Sequence, residues 1–305
     1  MNVVFMGTPD FAVGCLQILN QNYNVVGVFS QPDKPQGRKM ELKAPAVKLK
    51  ALELGLNVYQ PDSLRNDDAY NLLKSLNPDL IVVVAYGKIL PKNILDLPPM
   101  GCINVHASLL PRYRGSAPIQ WSIVEGDKVT GVTTMYMDEG IDTGDILLKR
   151  EVEILSTDTG GSLFERLAVV GAETLKDTCE ALVNGTLVRT KQDESLATYA
   201  PIIKKQMGLI DFSKTANQVS CLIRGFNPWP CAYFMLDGKR LKVFSAEVSH
   251  KSGKAGEVIE SQNELIIACG ENSIKLLEVQ LEGSKRMMAS DMLRGKKIEI
   301  GTIIE

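Results

Sequence analysis

Histidine is scarce in this chain, with only His106 and His250 among 305 residues. That number alone excludes a histidine-built metal centre. Six cysteines are present, Cys15, Cys102, Cys179, Cys221, Cys231 and Cys269, and no two form a C-x-x-C pair. The paired spacing of a zinc site is therefore missing, no metal is expected, and the apolar flanks point to buried free thiols in a reducing compartment. No apolar run approaches the roughly 18 residues that a membrane-spanning helix needs. The opening MNVVFMG lacks the basic flank and cleavable apolar core of a secretory leader and reads as a first strand. The cytoplasm is the compartment expected. The first turn, Gly7-Thr8-Pro9-Asp10, lacks the G-x-G-x-x-G spacing of a dinucleotide site. Internal repeats and low-complexity tracts are missing as well. So is an excess of positive charge, since the net charge is −2.

What charge there is has a distribution. Residues 1–203 carry a net −5 and residues 204–305 a net +3, while the segment 31–50 alone carries +4. A polyanion can therefore be met locally by a chain that is not basic as a whole.

The first half alternates apolar strands with helical patterns. VVFMG, NVVGVFS, NVYQP, PDLIVVVAYG, CINVHAS, VTTMYMD and DILLKREVEI read as strands. PDFAVGCLQILNQ, APAVKLKALELG, NDDAYNLLKSLN, QWSIVEG and the long SLFERLAVVGAETLKDTCEALVNG read as helices. The continuously apolar 80–85 run predicts a central strand covered on both faces. Such alternation predicts an α/β domain with a doubly wound, mostly parallel sheet over residues 1–189. Residues 190–206 are polar and lack strong periodicity, so they read as a linker. From 207 to 305 a capped helix, broken by Asn227-Pro228-Trp229-Pro230, precedes a series of short strands separated by turns. A small, OB-like β-barrel is expected there.

Within this frame the stretch GCINVHASLLPRYRGSAP holds one of the two histidines. Asn104 and His106 are i and i+2, so an extended strand points both to the same side. The carboxyl edge of a parallel sheet is where such folds hold ligands. An asparagine amide can donate to an oxygen gaining negative charge, and an imidazole can carry a proton near neutrality. Downstream, MDEGIDTGDILLKR forms an acidic loop with Asp138, Glu139, Asp142 and Asp145. A carboxylate from it could orient the imidazole, and spacing does not choose among the four.

These two segments, GCINVHASLLPRYRGSAPIQ and TGVTTMYMDEGIDTGDIL, resemble the folate-dependent formyltransferase superfamily, and within it the branch whose acceptor is methionyl initiator tRNA. The likeness covers essentially the whole chain, including VVFMGTPDFA, QPDKPQGRKMELKAPAVK, AYGKILP, TYAPIIKK, IRGFNPWPCAY and LRGKK. Asn-x-His and I-D-T-G-D are shared across the superfamily, whereas SLLPRYRG, NPWP and the basic insertion are specific to the tRNA branch and its nearest relatives. One departure is Cys231, which follows NPWP where that branch commonly has glycine.

The resemblance implies catalytic roles for Asn104, His106 and Asp142, and so selects one acid of the four. It implies 10-formyltetrahydrofolate as formyl donor, held by Ser108, Leu109, Leu110 and Pro111 and walled by Ala85, Tyr86, Gly87, Ile89 and Leu90. It implies tRNA contact through Lys34, Arg38, Lys39 and Lys43 of the basic insertion and through the C-terminal domain. A cytoplasmic monomer serving translation initiation is the expected protein. The rival readings are formyl transfer to another amine, hydrolysis of the same folate, and a non-catalytic RNA-binding protein on a relict enzyme fold.

Overall fold

Leu80–Val84 is buried along its whole length, as a run apolar on both faces requires, and it lies in the middle of a seven-stranded sheet. The computed structural model describes residues 1–36 and 41–304. They form two units. One comprises Met1–Gly115, Val129–Glu153 and Phe164–Ala200, the other Ser116–Lys128, Ile154–Leu163 and the chain from Pro201 onward.

The strands of the first unit, in chain order, are β1 (Asn2–Gly7), β2 (Asn24–Phe29), β3 (Lys34–Gln36), β4 (Glu41–Lys43), β5 (Val58–Tyr59), β6 (Leu80–Val84), β7 (Cys102–His106), β8 (Arg114–Gly115), β9 (Val129–Tyr136), β10 (Ile146–Glu153) and β11 (Tyr199–Ala200). The main sheet runs β10-β9-β7-β6-β1-β2-β5. Its pairs from β5 to β7 are parallel, and β9 and β10 add an antiparallel edge. The doubly wound, mostly parallel sheet expected from the alternation of elements is therefore present. Helices Val13–Asn22, Ala46–Glu53 and Asp67–Ser75 make the crossovers. Asn66 caps the last of these, its side chain accepting from the Ala69 N–H at 3.2 Å.

Strand order reverses between β1 and β6, and the carboxyl ends of the strands at such a switch point are where open α/β sheets hold ligands. The Gly7-Thr8-Pro9-Asp10 turn follows β1 at this edge. The Thr8 hydroxyl and the Gln31 amide both donate to the Tyr86 carbonyl, at 2.9 and 3.1 Å. Beside this edge β3 and β4 form a small antiparallel ribbon. Its base is tied by Lys48, which donates to both Asp33 oxygens and to Gln60 Oε1, each at 2.8 Å. The Gln60 amide, with Lys48, holds the Asp33 carboxyl below the usual carboxylate range.

In the second unit β12 (Ala232–Leu236), β13 (Lys239–Ser249), β14 (Val258–Glu260), β15 (Leu265–Ala268), β16 (Ser273–Leu281) and β17 (Met287–Met288) form one antiparallel sheet, ordered β12-β13-β16-β15-β14 with β17 on β16. The barrel read from the sequence is here a curled half-barrel. Its concave face is filled by helix Ala216–Gly225, whose Ala216, Val219 and Ile223 join Phe234, Leu241, Val243, Ile267 and Leu276 in one apolar core. Thr215 and Gln218 form a reciprocal cap at the start of that helix. Helix Pro118–Val124 also packs in this unit, with Trp121 edge-on to Phe226 and its indole N–H donating to the Pro201 carbonyl at 2.9 Å. Cys231 has φ +70. That left-handed turn is the physical reason a glycine is expected after NPWP.

All six cysteines are free thiols; five are buried and Cys221 is half-buried. Burial pushes the thiols of Cys15, Cys102 and Cys179 up to about 12 and that of Cys269 to about 11. At pH 8 those four are almost wholly protonated and poor nucleophiles. Native protein titrated with Ellman's reagent at pH 8 is expected to show one fast-reacting thiol. The Cys221→Ser variant should lose that phase, and all six should react in denaturant.

Candidate active site

β7 is extended between β6 and β9, with Asn104 opposite Val83 and Met135, and His106 opposite Thr133. The i, i+2 spacing puts both polar side chains on one face. Asp142 meets them from the loop joining β9 to β10. One of its oxygens lies 3.4 Å from the Asn104 amide, which donates to it. The other lies 3.5 Å from His106 Nδ1 and accepts from the Gly115 N–H at 2.8 Å. Of the four acids in the 138–145 loop, this is the one brought to the asparagine-histidine pair. Asp138 instead closes its own loop, accepting from the Gly140 N–H and the Thr143 hydroxyl.

His106 is only 6% exposed. Its Nε2 lies 2.9 Å from the Tyr113 carbonyl. A carbonyl can only accept, so Nε2 carries the proton there and Nδ1 is the nitrogen turned to the carboxylate. The imidazole is thus fixed in both tautomer and orientation, and its exchangeable edge is the one shared with Asp142.

Backbone strain gathers at this place. Ala85, Tyr113 and Asp142 have φ of +46, +59 and +56, and lie on the loops that follow β6, β7 and β9. A left-handed conformation costs a residue with a Cβ of order 1 kcal/mol or more, and it persists where surrounding bonds over-determine it. Those bonds are visible for Asp142. Gln192 Nε2 donates to the carbonyls of Asp142 and Gly144, both at 2.8 Å. Gln192 Oε1 in turn accepts from Arg114 Nε and Nη2, at 3.1 and 2.8 Å. Arg114 is wholly buried and makes a two-point pair with Glu194, at 2.8 and 2.7 Å. The guanidinium holds the Glu194 carboxyl below its usual range.

The 190–206 stretch, read from sequence as linker, therefore supplies site structure. Gln192, Glu194 and Thr198 are all bonded to the 111–115 segment or to the Asp142 loop, and β11 pairs with β8. Sequence reasoning missed Gln192 and Arg114. The only signals were an arginine before a glycine in RYRG and a glutamine in a polar run.

Ser108 to Pro111 follow β7 directly. Ser108 and Leu110 are buried, Leu109 and Pro111 half-buried. Thr133 fixes this turn, donating to the Ser108 carbonyl at 2.6 Å and accepting from the Leu110 N–H at 3.1 Å. On the neighbouring loop after β6, Ala85, Gly87 and Ile89 are exposed. Tyr86 and Leu90, also expected to wall the folate, have their side chains in the apolar core with Ile94 and Cys102. Burial pushes the Tyr86 phenol up to about 12.

Lys34 and Lys43 are both exposed and directly opposite each other across the β3-β4 ribbon. Arg38 and Lys39 lie outside the described residues. Like charges in register repel each other, so the ribbon gains from a bound anion. No cluster of three or more metal-ligating side chains occurs among the described residues, and no helix among them is long and apolar enough to cross a membrane.

Comparison with known proteins adds to this geometry. The formyl transferase family model matches residues 1–179, and the model for the formyl transferase C-terminal domain matches residues 202–297. The chain is similar to the methionyl-tRNA formyltransferase of Ruminiclostridium cellulolyticum, with 49% identity over 99% of this chain and 98% of that protein. It is 50% identical to the methionyl-tRNA formyltransferase of Caldanaerobacter subterraneus subsp. tengcongensis, over the full length of both. Among solved structures, the N-formyltransferase from Helicobacter canadensis in complex with folinic acid and dTDP-3-aminofucose shares the fold. Its TM-score is 0.66 at 18% identity, over 90% of this chain and 98% of that one.

Gly115 donates to Asp142 from a conformation that tolerates no side chain. Its φ is +109, and a Cβ there would sit 2.8 Å from the Ala200 carbonyl oxygen. Gly115→Ala is expected to cost about 1–3 kcal/mol in urea unfolding, through strain and the displaced N–H. Gly185→Ala, at φ +67 with nothing within 4 Å, is the control for conformational strain alone and should cost about 1 kcal/mol.

Proposed function

The chain belongs to the methionyl-tRNA formyltransferase family and transfers a formyl group from a formyl-tetrahydrofolate to methionyl-tRNA; on that premise we propose that Asn104, His106 and Asp142 carry the transfer from 10-formyltetrahydrofolate to the α-amino group of methionyl initiator tRNA. The observation that carries this reading is the convergence of the three side chains, with one carboxylate reaching both the amide and the imidazole.

The amine attacks as the free base, and its reference pKa near 8 makes that form available at neutral pH. Attack on the formyl carbon forms a C–N bond and a tetrahedral oxyanion. Asn104 has two N–H donors, only one of them turned to Asp142, and that at a long 3.4 Å. The other is available to the oxyanion. The attacking nitrogen then sheds a proton and the departing folate nitrogen takes one up. Both ring nitrogens of His106 are engaged within the protein, so the proton passes by the Nδ1–Asp142 edge, directly or through one water. Collapse of the intermediate breaks the bond to the folate nitrogen and leaves formyl-methionyl-tRNA and tetrahydrofolate.

The folate is held between two adjacent loops. Ser108 to Pro111 after β7 form one wall, and the exposed Ala85, Gly87 and Ile89 after β6 form the other. An apolar slot with free backbone groups suits a flat heterocycle with an amide edge. For the tRNA, Lys34 and Lys43 of the ribbon meet phosphates, with Arg38 and Lys39 on the same insertion and the C-terminal unit adding basic contacts. Catalysis is assigned to residues 1–189, buttressed by Gln192 of the following segment, and RNA binding is shared between the ribbon and residues 207–305. The protein works as a cytoplasmic monomer in translation initiation.

Single-turnover formyl transfer tests the assignments. Asn104→Ala should slow the step about 10²- to 10³-fold and His106→Ala about 10²- to 10⁴-fold, with folate affinity kept. Near-normal transfer by His106→Ala would refute these roles. For the RNA contacts, Lys34→Ala with Lys43→Ala should raise the KM for tRNA. It should also flatten the salt dependence of binding by roughly 0.7–0.9 in log–log slope per lost phosphate contact. If folate affinity fell equally, the ribbon would be part of the folate site instead.

A further inference from the structure

Arg114 is the largest side chain among the fully buried, described residues, and no step of the proposed transfer uses a cation there. Burying a guanidinium is costly unless every donor is met. Here Nη1 and Nη2 each donate to Glu194, while Nε and the second hydrogen of Nη2 converge on a single oxygen of Gln192. Arginine has no acceptor, so it dictates which end of the Gln192 amide faces it. The oxygen must point to Arg114, and the NH₂ group is thereby aimed the other way. Both of its hydrogens are used, one on the Asp142 carbonyl and one on the Gly144 carbonyl. The carbonyl so gripped belongs to a residue at φ +56 whose side chain reaches both Asn104 and His106.

We propose that Arg114 and Gln192 form a positioning relay. The buried guanidinium orients the glutamine amide, and the amide holds the strained Asp142 turn so that its carboxylate stays on Asn104 and His106. Neither residue touches substrate, and the assignment rests on the proposed catalytic role of Asp142. A purely structural staple between the 190–200 segment and β8 would need the Arg114–Glu194 pair and the β8-β11 bridge. It would not need an amide whose two N–H groups both end on the catalytic loop.

Gln192→Glu separates these possibilities. It keeps the length and strengthens the bond to Arg114, while replacing two donors with an oxygen that repels the two carbonyls. The expected result is a kcat lowered about 10- to 100-fold, the size of effect produced by displacing a reacting group by an ångström or less. The KM values for folate and tRNA should stay within about twofold. In the Asp142→Asn background the same substitution should change kcat by less than about twofold, because a residue acting through Asp142 has nothing left to position. Gln192→Met, of similar size without donors or charge, is the second variant and should lose a comparable factor. Unchanged kcat in both variants, an equal loss in both backgrounds, or failure of both variants to fold and bind folate overturns the relay. If Asp142→Asn alone keeps normal kcat, it is the role of Asp142 itself that fails.

Discussion

A carboxylate is an acceptor-only group with two oxygens, and Asp142 divides its two among an asparagine amide, an imidazole nitrogen and a glycine N–H. That division works only from one place. It requires a left-handed backbone at residue 142, a glycine at 115 where any Cβ would strike the Ala200 carbonyl, and a strand that aims residues 104 and 106 the same way. Much of what is irregular in the first unit can be traced to keeping this carboxylate fixed. Examples are the two-residue β8-β11 bridge, the buried arginine and the return of the 190–200 segment across the sheet edge.

The regular parts of the fold were legible because they obey local rules. The 80–85 run reads as a central strand since it has no polar face, and Leu80–Val84 is buried throughout. Asn66 and Thr215 act as helix caps, the role that short polar side chains take just before a helix. Asn104 and His106 share a face because the period of a strand is two. The small, OB-like barrel expected of the C-terminal strands is present as a curled half-barrel. Strand count and turn spacing are local, whereas closure depends on pairing between strands far apart in the chain.

Asp142 marks where local reasoning stops. Four acids stand within eight residues, and their alternation with glycine says only that the loop turns. What distinguishes residue 142 is a carbonyl held by Gln192, fifty positions later. Gln192 itself was invisible for the same reason, since a polar stretch without periodicity carries no sign of which of its residues will be pulled inward. Family resemblance singles out Asp142, and the hydrogen bonds show which groups its carboxylate meets. Tyr86 and Leu90 show the converse. They sit in a segment expected to wall a ligand, yet their side chains belong to the core beneath, because on a tight loop after a buried strand some residues must still turn inward.

The same economy bears on how such a site tolerates change. Loops that carry function are ordinarily mobile, but three of them here hold non-glycine residues in left-handed backbone, a state that relaxes when its restraints are removed. For Asp142 the restraints are neutral hydrogen bonds from Gln192 and Gly115, and the buried charge behind them, Arg114, is neutralised by a partner at the surface, Glu194. The arginine thus brings no uncompensated charge to the Asn104–His106–Asp142 cluster. Its positive charge ends on Glu194, and what reaches the Asp142 loop is the orientation of an amide. An apolar replacement could fill the volume of Arg114, but it could not specify which way Gln192 points, and that direction decides whether the loop carbonyls meet hydrogens or an oxygen.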